Sequence, residues 1–385
     1  MNLEQLNDRQ KEAVLYNEGP LLIIAGAGAG KTKTLTTKIA FLIEEKNVDP
    51  RNILAITFTN KAAKEMKERL QKLVGVISKY SQVSTFHSFG LRILRENSEK
   101  LGYVSNFIIL DSDDSLSVVK KVLKELNLDS KQYNPNAIRN KISSCKNELV
   151  SPEDYEKYAI GDYEKVVLKV YQKYEKILKR NNSIDFDDLL ILPIKLFREH
   201  PSVLQSYQEK FKYILIDEYQ DTNEAQYILT KMISAKYKNI CCVGDNDQSI
   251  YSFRGANYRN ILNFEKDYQN AKVIKLEQNY RSTSTILDAA NCIIKNNTER
   301  KDKNPMRVID CKNPTCKENL TDIPFMVDHI CDDCKDHFEK VKNELIELLY
   351  GSDNIENRYD KKITDDRMNL PIIYELKNGR KLVRE

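Results

Sequence analysis

Near its N-terminus the chain reads Leu21-Leu22-Ile23-Ile24-Ala25-Gly26-Ala27-Gly28-Ala29-Gly30-Lys31-Thr32. The apolar run at its start stops at a glycine-rich turn, which predicts a short buried strand. Beyond Thr32, apolar residues recur at helical spacing, at Leu35, Ile39, Leu42 and Ile43. A glycine-rich turn that ends in Gly-Lys-Thr between a strand and a helix is the context of a phosphate-binding loop, or P-loop. The stretch therefore predicts an α/β fold built around a P-loop.

The chemistry of this turn follows from its glycines and from the helix after it. Glycine lets backbone N–H groups turn toward an anion, and the helix N-terminus adds the positive end of its dipole. We expect Lys31 to contact the β- and γ-phosphates of ATP and Thr32 to hold Mg²⁺. Ala25 stands where the P-loop pattern has its first glycine, and alanine is small enough for this to do little harm.

A second polar stretch follows another apolar run, in the sequence Ile214-Leu215-Ile216-Asp217-Glu218. Ligands of open α/β sheets bind at the carboxyl ends of the strands. We therefore expect Asp217 to bind Mg²⁺ and Glu218 to orient and deprotonate the attacking water. Phosphoryl transfer needs positioning and charge neutralisation more than covalent chemistry, so one metal-binding carboxylate and one base suffice.

Further strands and helices alternate along the chain. Short apolar runs predict buried strands at 53–57, 213–216, 240–243 and 273–276. Between the first two, Ala63, Met66, Leu70 and Leu73 share one helical face, and Asn60 is the predicted N-cap of that helix. Strands that alternate with helices indicate a parallel sheet covered on both faces.

The strand signals fade between residues 106 and 194. Helical patterns replace them, one marked by Leu116, Val119, Leu123 and Leu126 and another by Val167, Tyr171, Tyr174 and Leu178. This region is therefore predicted to be a helical insertion domain. The sheet domain would then comprise 1–105 and 195–272, and a further domain would start at 273–303.

Bulk composition excludes some classes of protein. Hydrophobic residues make up 41% of the chain, and 61 basic against 57 acidic residues leave a net charge of +4. This charge is too small to indicate a nucleic-acid partner by itself, so any phosphate-binding surface must be local. The N-terminus lacks a signal peptide and no apolar run is long enough to cross a membrane, so we expect a cytoplasmic protein. Its eight cysteines are then expected to be thiols or metal ligands.

A series of ordered motifs carries a family resemblance over residues 1 to about 300. The series runs through Leu6-Asn7-Asp8-Arg9-Gln10, the P-loop, Thr57-Phe58-Thr59-Asn60-Lys61-Ala62-Ala63, Thr85-Phe86-His87-Ser88-Phe89, Asp185-Phe186-Asp187-Asp188-Leu189, Asp217-Glu218-Tyr219-Gln220-Asp221-Thr222, Val243-Gly244-Asp245-Asn246-Asp247-Gln248-Ser249-Ile250-Tyr251 and Gln278-Asn279-Tyr280-Arg281-Ser282. The chain resembles the UvrD/PcrA/Rep-type superfamily 1A DNA helicases. The resemblance implies a RecA-like motor domain 1A, the insertion as domain 1B, and 273–303 as the start of a second motor domain, 2A.

The resemblance also implies roles in the ATP site. Gln10 would read the adenine edge, Tyr280 would stack on the base, and Lys33 would lie near it. Gln248 would sense the γ-phosphate. Arg281 is a candidate cation for the charge that develops in the transition state.

Loop aromatics in the same motifs are the expected strand-binding residues. Aromatic rings bind single strands by stacking on bases, with little dependence on base sequence. The expected DNA contacts are Phe58, Asn60, Phe86, His87, Phe186, Tyr251, Phe253 and Arg254. Phe253 stands where the family usually has tryptophan, so we expect strand binding there to be weaker but retained.

The two later family motifs, V and VI, are not found. Motif VI supplies an arginine that reaches the γ-phosphate in the family, and such an arginine is worth roughly 10³–10⁵ in rate. We therefore expect a truncated 3′ to 5′ helicase that binds ATP and single-stranded DNA or strand junctions but unwinds poorly. Repair or replication proteins are its expected partners.

Residues 304–385 form an atypical tail by sequence. Part of it, including Cys331-Asp332-Asp333-Cys334-Lys335-Asp336-His337-Phe338, resembles a mid-chain piece of bacterial histidyl-tRNA synthetase. Cys311, Cys316, Cys331 and Cys334 could also form a zinc site, although the first pair lacks the two-residue spacing common in such sites. Two alternatives to a helicase therefore stay open: a non-motor module that binds ATP and single strands, and a zinc-containing interaction protein with a vestigial motor lobe.

Overall fold

A computed structural model describes residues 3–251, 255–257 and 259–294, and short strands at 307–308, 373–375 and 381–383. Phe253 and Arg254 lie outside the described residues, and so do Cys311, Cys316, Cys331 and Cys334. The chain divides into two compact units, residues 1–281 with 299–309 and residues 282–298 with 310–385. The first unit contains the main sheet.

The strands are, in chain order, β1 (Leu21–Ala25), β2 (Ile53–Thr57), β3 (Gln82–Thr85), β4 (Ile108–Ile109), β5 (Ser183–Ile184), β6 (Tyr213–Ile216), β7 (Ile240–Gly244), β8 (Lys272–Leu276), β9 (Gln278–Asn279), β10 (Arg307–Val308), β11 (Ile373–Glu375) and β12 (Lys381–Val383). The α-helices are α1 (Asp8–Leu15), α2 (Lys31–Glu44), α3 (Asn60–Val74), α4 (Phe86–Asn97), α5 (Ser112–Glu125), α6 (Pro135–Asn147), α7 (Pro152–Tyr155), α8 (Asp162–Arg180), α9 (Asp188–Glu199), α10 (Pro201–Lys210), α11 (Glu224–Ser234), α12 (Arg259–Asp267) and α13 (Ser284–Ile294). Short 3-10 segments include Gly75–Tyr80, Tyr219–Asp221 and Asn246–Gln248.

Six strands form one parallel sheet in the order β3-β2-β6-β7-β1-β8. The five strands that the sequence predicts are all present, with bounds within one residue of the prediction. Strand β3 was not predicted, because it contains Val83 as its single aliphatic residue. It lies at an edge of the sheet, where pairing with one neighbour suffices. The predicted α/β fold with a RecA-like parallel sheet is confirmed.

Both faces of the sheet are buried. Alternate residues of a strand point to opposite faces, so Leu22 and Ile24 of β1 belong to one core, and Leu21, Ile23 and Ala25 belong to the other. Strands β2 and β6 divide in the same way. Burial on both faces explains why these strands read as continuous apolar runs.

The helices that cover the sheet follow the predicted faces, with two differences. Ala63, Met66 and Leu70 of α3 are buried, but Leu73 is 44% exposed, because the helix ends one residue later and the chain turns away at Gly75. The N-cap of α3 is Thr59, whose hydroxyl accepts from the Ala62 N–H, and the predicted cap Asn60 is the first helical residue.

The insertion has a hydrophobic core of its own, formed by residues of α5, α6, α7 and α8. The predicted face of α8, with Val167, Tyr171, Tyr174 and Leu178, is buried there. The parallel pair β4 and β5 joins the two ends of the insertion, with Ile109 opposite Ile184. Helix α9 (188–199) begins within the predicted insertion range of 106–194, but its residues Leu190, Ile194 and Phe197 pack in the main core.

The second unit contains α13 and the antiparallel pair of β11 and β12. Among the residues that the structure describes, no helix is both long and apolar enough to span a membrane. In the same part of the chain, Cys145, Cys241, Cys242 and Cys292 are free thiols.

Candidate nucleotide site and strand-binding loops

The predicted P-loop connects β1 to α2. Gly28 and Gly30 have φ angles of 72° and 80°, a region that residues with a side chain rarely adopt. Gly30 is also the N-cap of α2, and no side chain caps this helix or adds a negative charge to its first turn. The N–H groups and the positive dipole end of α2 are therefore available to an anion.

The P-loop and the two carboxylates meet at the same edge of the sheet. Strands β1 and β6 are parallel and only β7 separates them, so their carboxyl ends lie side by side. Lys31 Nζ donates to Glu218 Oε2 at 2.9 Å, and Thr32 Oγ1 donates to Asp217 Oδ2 at 3.4 Å. A hydroxyl and a carboxylate are oxygen ligands of the kind that Mg²⁺ prefers, so this pair fits the predicted metal site.

Negative charge is crowded after β6. Burial, together with the nearby charge of Glu218, raises the pKa of Asp217 to about 6 and that of Asp221 to about 7. The buried Oδ1 of Asp221 has no hydrogen-bond partner among the described atoms. A divalent cation bound beside Asp217 would relieve this crowding, because an opposite charge favours the ionised carboxylate.

Gln220 joins these carboxylates to the loop after β7, a role that the sequence did not indicate. Its Nε2 donates to Glu218 Oε2 at 2.9 Å, and its Oε1 accepts from the Asp245 N–H at 3.0 Å. Gln248 Nε2 donates to Asp245 Oδ2 at 2.8 Å. Gln248, the predicted γ-phosphate sensor, is therefore linked to the predicted base Glu218 through Asp245 and Gln220.

Gln10 lies under the P-loop and is only 2% exposed. Its Nε2 donates to the Ala29 carbonyl at 3.0 Å, and its Oε1 accepts from the Asn7 N–H at 3.1 Å. A Cβ on Gly30 would lie 2.7 Å from Gln10 Nε2, so glycine is needed there for space as well as for its backbone angle. Gln10 supports the phosphate loop in this structure, and its predicted contact with adenine stays a prediction.

Residues around β9 contact the other side of the loop. Asn279 Nδ2 donates to the Ala27 carbonyl at 2.6 Å, and the Tyr280 N–H donates to the Gly28 carbonyl at 2.9 Å. Arg281 follows directly and is exposed, and its Cβ would lie 2.6 Å from a Cβ added to Gly28. Both predicted residues of this motif, Tyr280 and Arg281, therefore lie beside the P-loop.

Two further contacts involve residues beside this motif. Asn7 Nδ2 donates to the hydroxyl of Tyr280 at 2.8 Å. Lys33 Nζ donates to the Gln5 carbonyl at 2.8 Å, on the N-terminal side of α1. Asn7 and Asn279 were not predicted. The capping-box spacing of Asn7 and Gln10 was a local signal for the first of them.

Four of the described residues that are predicted to bind the strand form two pairs of neighbouring rings. The rings of Phe58 and Tyr251 are tilted, with centroids 5.0 Å apart, and those of His87 and Phe186 are stacked at 4.0 Å. Phe186 is 56% exposed, an unusual position for a large apolar ring. Burial lowers the pKa of His87 to about 4, so His87 is neutral at pH 7 and offers a flat ring in place of a charge.

Phe86 does not fit the strand-binding prediction. It is the first residue of α4, is 3% exposed and packs in the main core, so its ring is not available to a base. Its neighbour His87 is the residue that reaches Phe186. Asn60, at the start of α3, is exposed. Its Oδ1 lies 3.5 Å from the hydroxyl of Thr85, at the end of β3.

A parallel sheet with a P-loop and a paired carboxylate at one edge defines a P-loop nucleotide-binding protein with a RecA-like core. The chain belongs to the UvrD/REP helicase family. The model of the UvrD/REP helicase N-terminal domain matches residues 6–269, and that of the UvrD-like helicase C-terminal domain matches residues 274–377. The resemblance that the motif series indicated is confirmed. The second match runs through most of the segment predicted to be an atypical tail, whose division into domains stays a prediction.

Several curated relatives are similar over most of this chain. The chain is 57% identical over 302 residues to the ATP-dependent DNA helicase PcrA of Bacillus subtilis. It is 56% identical over 301 residues to PcrA of Staphylococcus aureus strain Mu50, and 54% identical over 301 residues to PcrA of Staphylococcus epidermidis. Each alignment covers 78% of this chain but only 41% of the relative.

Proposed function

We propose that this chain is an ATP hydrolase that binds single-stranded DNA, with the nucleotide at the P-loop and the strand on the two aromatic pairs. The observation that carries the proposal is the meeting of Lys31 and Thr32 with Glu218 and Asp217, at 2.9 and 3.4 Å. The relatives are named ATP-dependent DNA helicases, which supports the same activity.

The geometry supports a definite division of labour in hydrolysis. Thr32 and Asp217 would hold Mg²⁺, which supplies charge neutralisation on the phosphate oxygens when it is bound. Lys31 Nζ forms an ion pair with Glu218 Oε2 at 2.9 Å. When Lys31 turns to the phosphates, Glu218 Oε2 is free to accept a proton from the attacking water, and the Gln220 amide keeps this oxygen in place.

The strand-binding part of the proposal depends on stacking. Base stacking is worth about 1–3 kcal/mol per base, and Phe186 offers an exposed ring that His87 supports from behind. Phe58 and Tyr251 form a second pair on loops after β2 and β7. Translocation in the 3′ to 5′ direction, contacts with strand junctions, a cytoplasmic location and links to repair or replication proteins are parts of the proposal that come from the family resemblance.

We further propose that this chain by itself hydrolyses ATP slowly and unwinds poorly. We find no match in the sequence to the motif that supplies the γ-phosphate arginine, and the aligned 302 residues cover 41% of the relative's length. The alternative of a non-motor module that binds ATP and single strands is favoured if turnover is absent. The zinc-containing alternative depends on the four tail cysteines and predicts one equivalent of zinc in elemental analysis.

Turnover measurements on the chain test the proposal. We expect nucleotide binding and slow ATP hydrolysis that single-stranded DNA stimulates weakly, because the proposal includes a base, Glu218, but no arginine from motif VI. Lys31→Ala should lower nucleotide affinity by at least tenfold and abolish turnover, since it removes the cation of the P-loop. Lys46→Ala is the matched control, because Lys46 is an exposed lysine just beyond the other end of α2.

The possible outcomes separate the parts of the proposal. Nucleotide binding that Lys31→Ala does not weaken would contradict the site. Robust strand-stimulated turnover, at a rate comparable to complete helicases, would contradict the expectation of poor activity and leave the site intact.

A further inference from the structure

The segment Asp185–Asp188 turns three carboxylates inward and one ring outward. Lys146 is fully buried, and its Nζ lies 2.7 Å from Asp185 Oδ2 and 2.8 Å from Asp188 Oδ1. Asp185 and Asp188 also accept each other's backbone N–H groups at 2.9 Å. Phe186, between them, is the residue left to project into solvent.

The third carboxylate of this segment is held by the residue next to Lys146. Asn147, the last residue of α6, donates through Nδ2 to Asp187 Oδ1 at 2.9 Å. The same Nδ2 donates to the Ser143 carbonyl at 2.8 Å, so its position on the helix is defined. Two successive residues of α6 therefore hold all three aspartates around Phe186.

Asn147 also contacts the segment that follows β6 and Glu218. Its Oδ1 accepts a hydrogen bond from Asn223 Nδ2. Asn223 is buried and is the N-cap of α11, where its Oδ1 accepts from the Gln226 N–H at 2.9 Å. The residues just before it run back through Gln220 to Glu218, so Asn147 lies one hydrogen bond from the segment that carries the predicted base.

The loop of the second aromatic pair passes the same point. A Cβ on Gly255 would lie 3.7 Å from Asn147 Cβ and 3.9 Å from Asn223 Cβ, so this loop packs directly on both asparagines. Tyr251 lies in the same loop, and its carbonyl accepts from the Ala256 N–H at 3.2 Å. The Thr222 carbonyl accepts from the Asn257 N–H at 2.9 Å, which ties the loop to the segment after β6.

The side-chain amide of Asn147 thus contacts two different segments, one through its nitrogen and the other through its oxygen. Its donor holds the Phe186 segment, and its acceptor holds the segment that follows Glu218. Coupling between distant sites requires a physical connection whose arrangement both sites can bias. Helix α9 also packs on α11 through apolar side chains of the main core, and the Asn147 amide adds a direct hydrogen-bonded link between the two segments.

We propose that Asn147 is a positioning residue that couples nucleotide binding to strand binding. It touches neither ligand, and it acts by fixing Asp187, and with it Phe186, relative to Asn223 and the segment after Glu218. The proposal rests on the proposed function, because it requires that the chain binds both ATP and single strands.

The test compares strand affinity with and without nucleotide in the full chain. Fluorescence anisotropy of a labelled oligothymidine, with and without a saturating non-hydrolysable ATP analogue and Mg²⁺, gives the ratio of the two strand dissociation constants. In the unmodified chain we expect this ratio to differ from one by at least about fivefold, as is usual for coupled sites. Asn147→Ala should bring the ratio to within twofold of one and leave nucleotide affinity alone unchanged.

Two isosteric variants remove the two hydrogen bonds of the Asn147 amide separately. Asn223→Asp keeps the oxygen that caps α11 but loses the donor to Asn147, so it should reduce the ratio with little effect on strand affinity in the absence of nucleotide. Asn147→Asp keeps the acceptor for Asn223 but places a carboxylate against Asp187. It should weaken strand binding several-fold even without nucleotide. Asn140→Ala, an exposed asparagine on the same helix, is the matched control and should change nothing.

The outcomes distinguish failure of the coupling role of Asn147 from failure of the proposed function, which is binding of ATP and single strands. If Asn147→Ala and Asn223→Asp both retain the unmodified ratio, Asn147 has no coupling role. If the unmodified chain binds both ligands with a ratio of one, there is nothing to couple and the inference is overturned while the binding sites stand. If it binds neither ligand, the proposed function itself fails. Because Asn223→Asp preserves the helix cap, it decides the question even if Asn147→Ala does not fold.

Discussion

At the scale of single residues, two buried carboxyl groups of the candidate site are expected to lower the free energy of unfolding. Asp217 and Asp221 are buried beside Glu218, and this burial raises the pKa values of both carboxyl groups to about 6 and about 7. A carboxyl group whose pKa is raised on folding binds its proton more tightly in the folded state. Its cost to stability is absent below the unfolded pKa and fully present above the folded one.

Asp217→Asn should therefore stabilise the nucleotide-free protein, and more so at high pH. For a pKa raised from 3.8 to about 6, the cost that asparagine removes is at most about 3 kcal/mol above pH 6. It is smaller at pH 5, where Asp217 is largely protonated in the folded state. Thermal unfolding at pH 5 and pH 8 measures the difference.

The same variant should lose the stabilisation that Mg²⁺ with an ATP analogue confers on the unmodified protein, because the metal-binding carboxylate is gone. A lower melting temperature for Asp217→Asn at pH 8, without ligand, would contradict this account of the site. Loss of the short-range contact with Thr32 is the competing effect, and at 3.4 Å that contact is weak.

At the scale of elements, helix α6 is anchored to the start of α9 by one buried cation. Burial opposes the charge on Lys146, but the carboxylates of Asp185, Asp188 and Glu175 outweigh it and hold the Lys146 pKa well above its ordinary value. Lys146 Nζ also lies 5.4 Å from the centre of the Tyr174 ring, on α8. A buried charged cluster therefore joins the insertion to the main domain, beside the apolar packing of Phe107 and Ile184 against Leu94.

Lys146→Met should destabilise the protein by roughly 3–5 kcal/mol, because it leaves buried carboxylates without their cation. Urea unfolding at pH 7 measures this loss, and the loss should shrink at low pH as the carboxylates protonate. Lys141→Met is the control: it removes an exposed lysine from the same helix, whose Nζ lies 5.7 Å from the Tyr155 ring. Equal effects of the two substitutions would show that the buried cluster is not what holds these elements together.

At the scale of the whole molecule, we expect the proposed strand affinity to come from local contacts rather than from overall charge. The net charge of the chain is only +4 over 385 residues. The described ring pairs lie on loops at the carboxyl edge of the sheet or beside it, and each ring of an exposed pair can stack on a base. Stacking, unlike phosphate neutralisation, depends little on salt.

We therefore expect a shallow dependence of strand affinity on salt. The logarithm of the association constant falls with the logarithm of salt concentration by about 0.7 for each neutralised phosphate of a single strand. We expect a slope shallower than about −3 in titrations between 50 and 300 mM salt, which corresponds to fewer than roughly four neutralised phosphates.

Phe186→Ala should lower strand affinity about 5- to 150-fold without changing this slope, since it removes stacking and no charge. A slope steeper than about −5 would contradict the prediction, and so would a Phe186→Ala protein with unchanged affinity.

Much of this molecule is encoded in short windows of sequence. The five predicted strands, the P-loop, the buried faces of α2 and α8, and the position of Asp217 and Glu218 at a strand end all follow from local periodicity and turn chemistry. The edge strand β3 escaped prediction because its pairing partner, rather than its own composition, makes it a strand.

Only the tertiary structure decided which candidate residues face solvent and which polar side chains meet. Phe86 and Phe186 look alike in sequence, yet one is 3% and the other 56% exposed, because burial depends on what packs above a residue and not on its neighbours in the chain. Gln220, Asn147 and Asn279 gave no signal, since their contacts join segments that are 25, 76 and 252 residues apart. Local patterns determine where strands, helices and the phosphate loop lie, whereas contacts across the chain exist only once the sheet has brought distant segments to one edge.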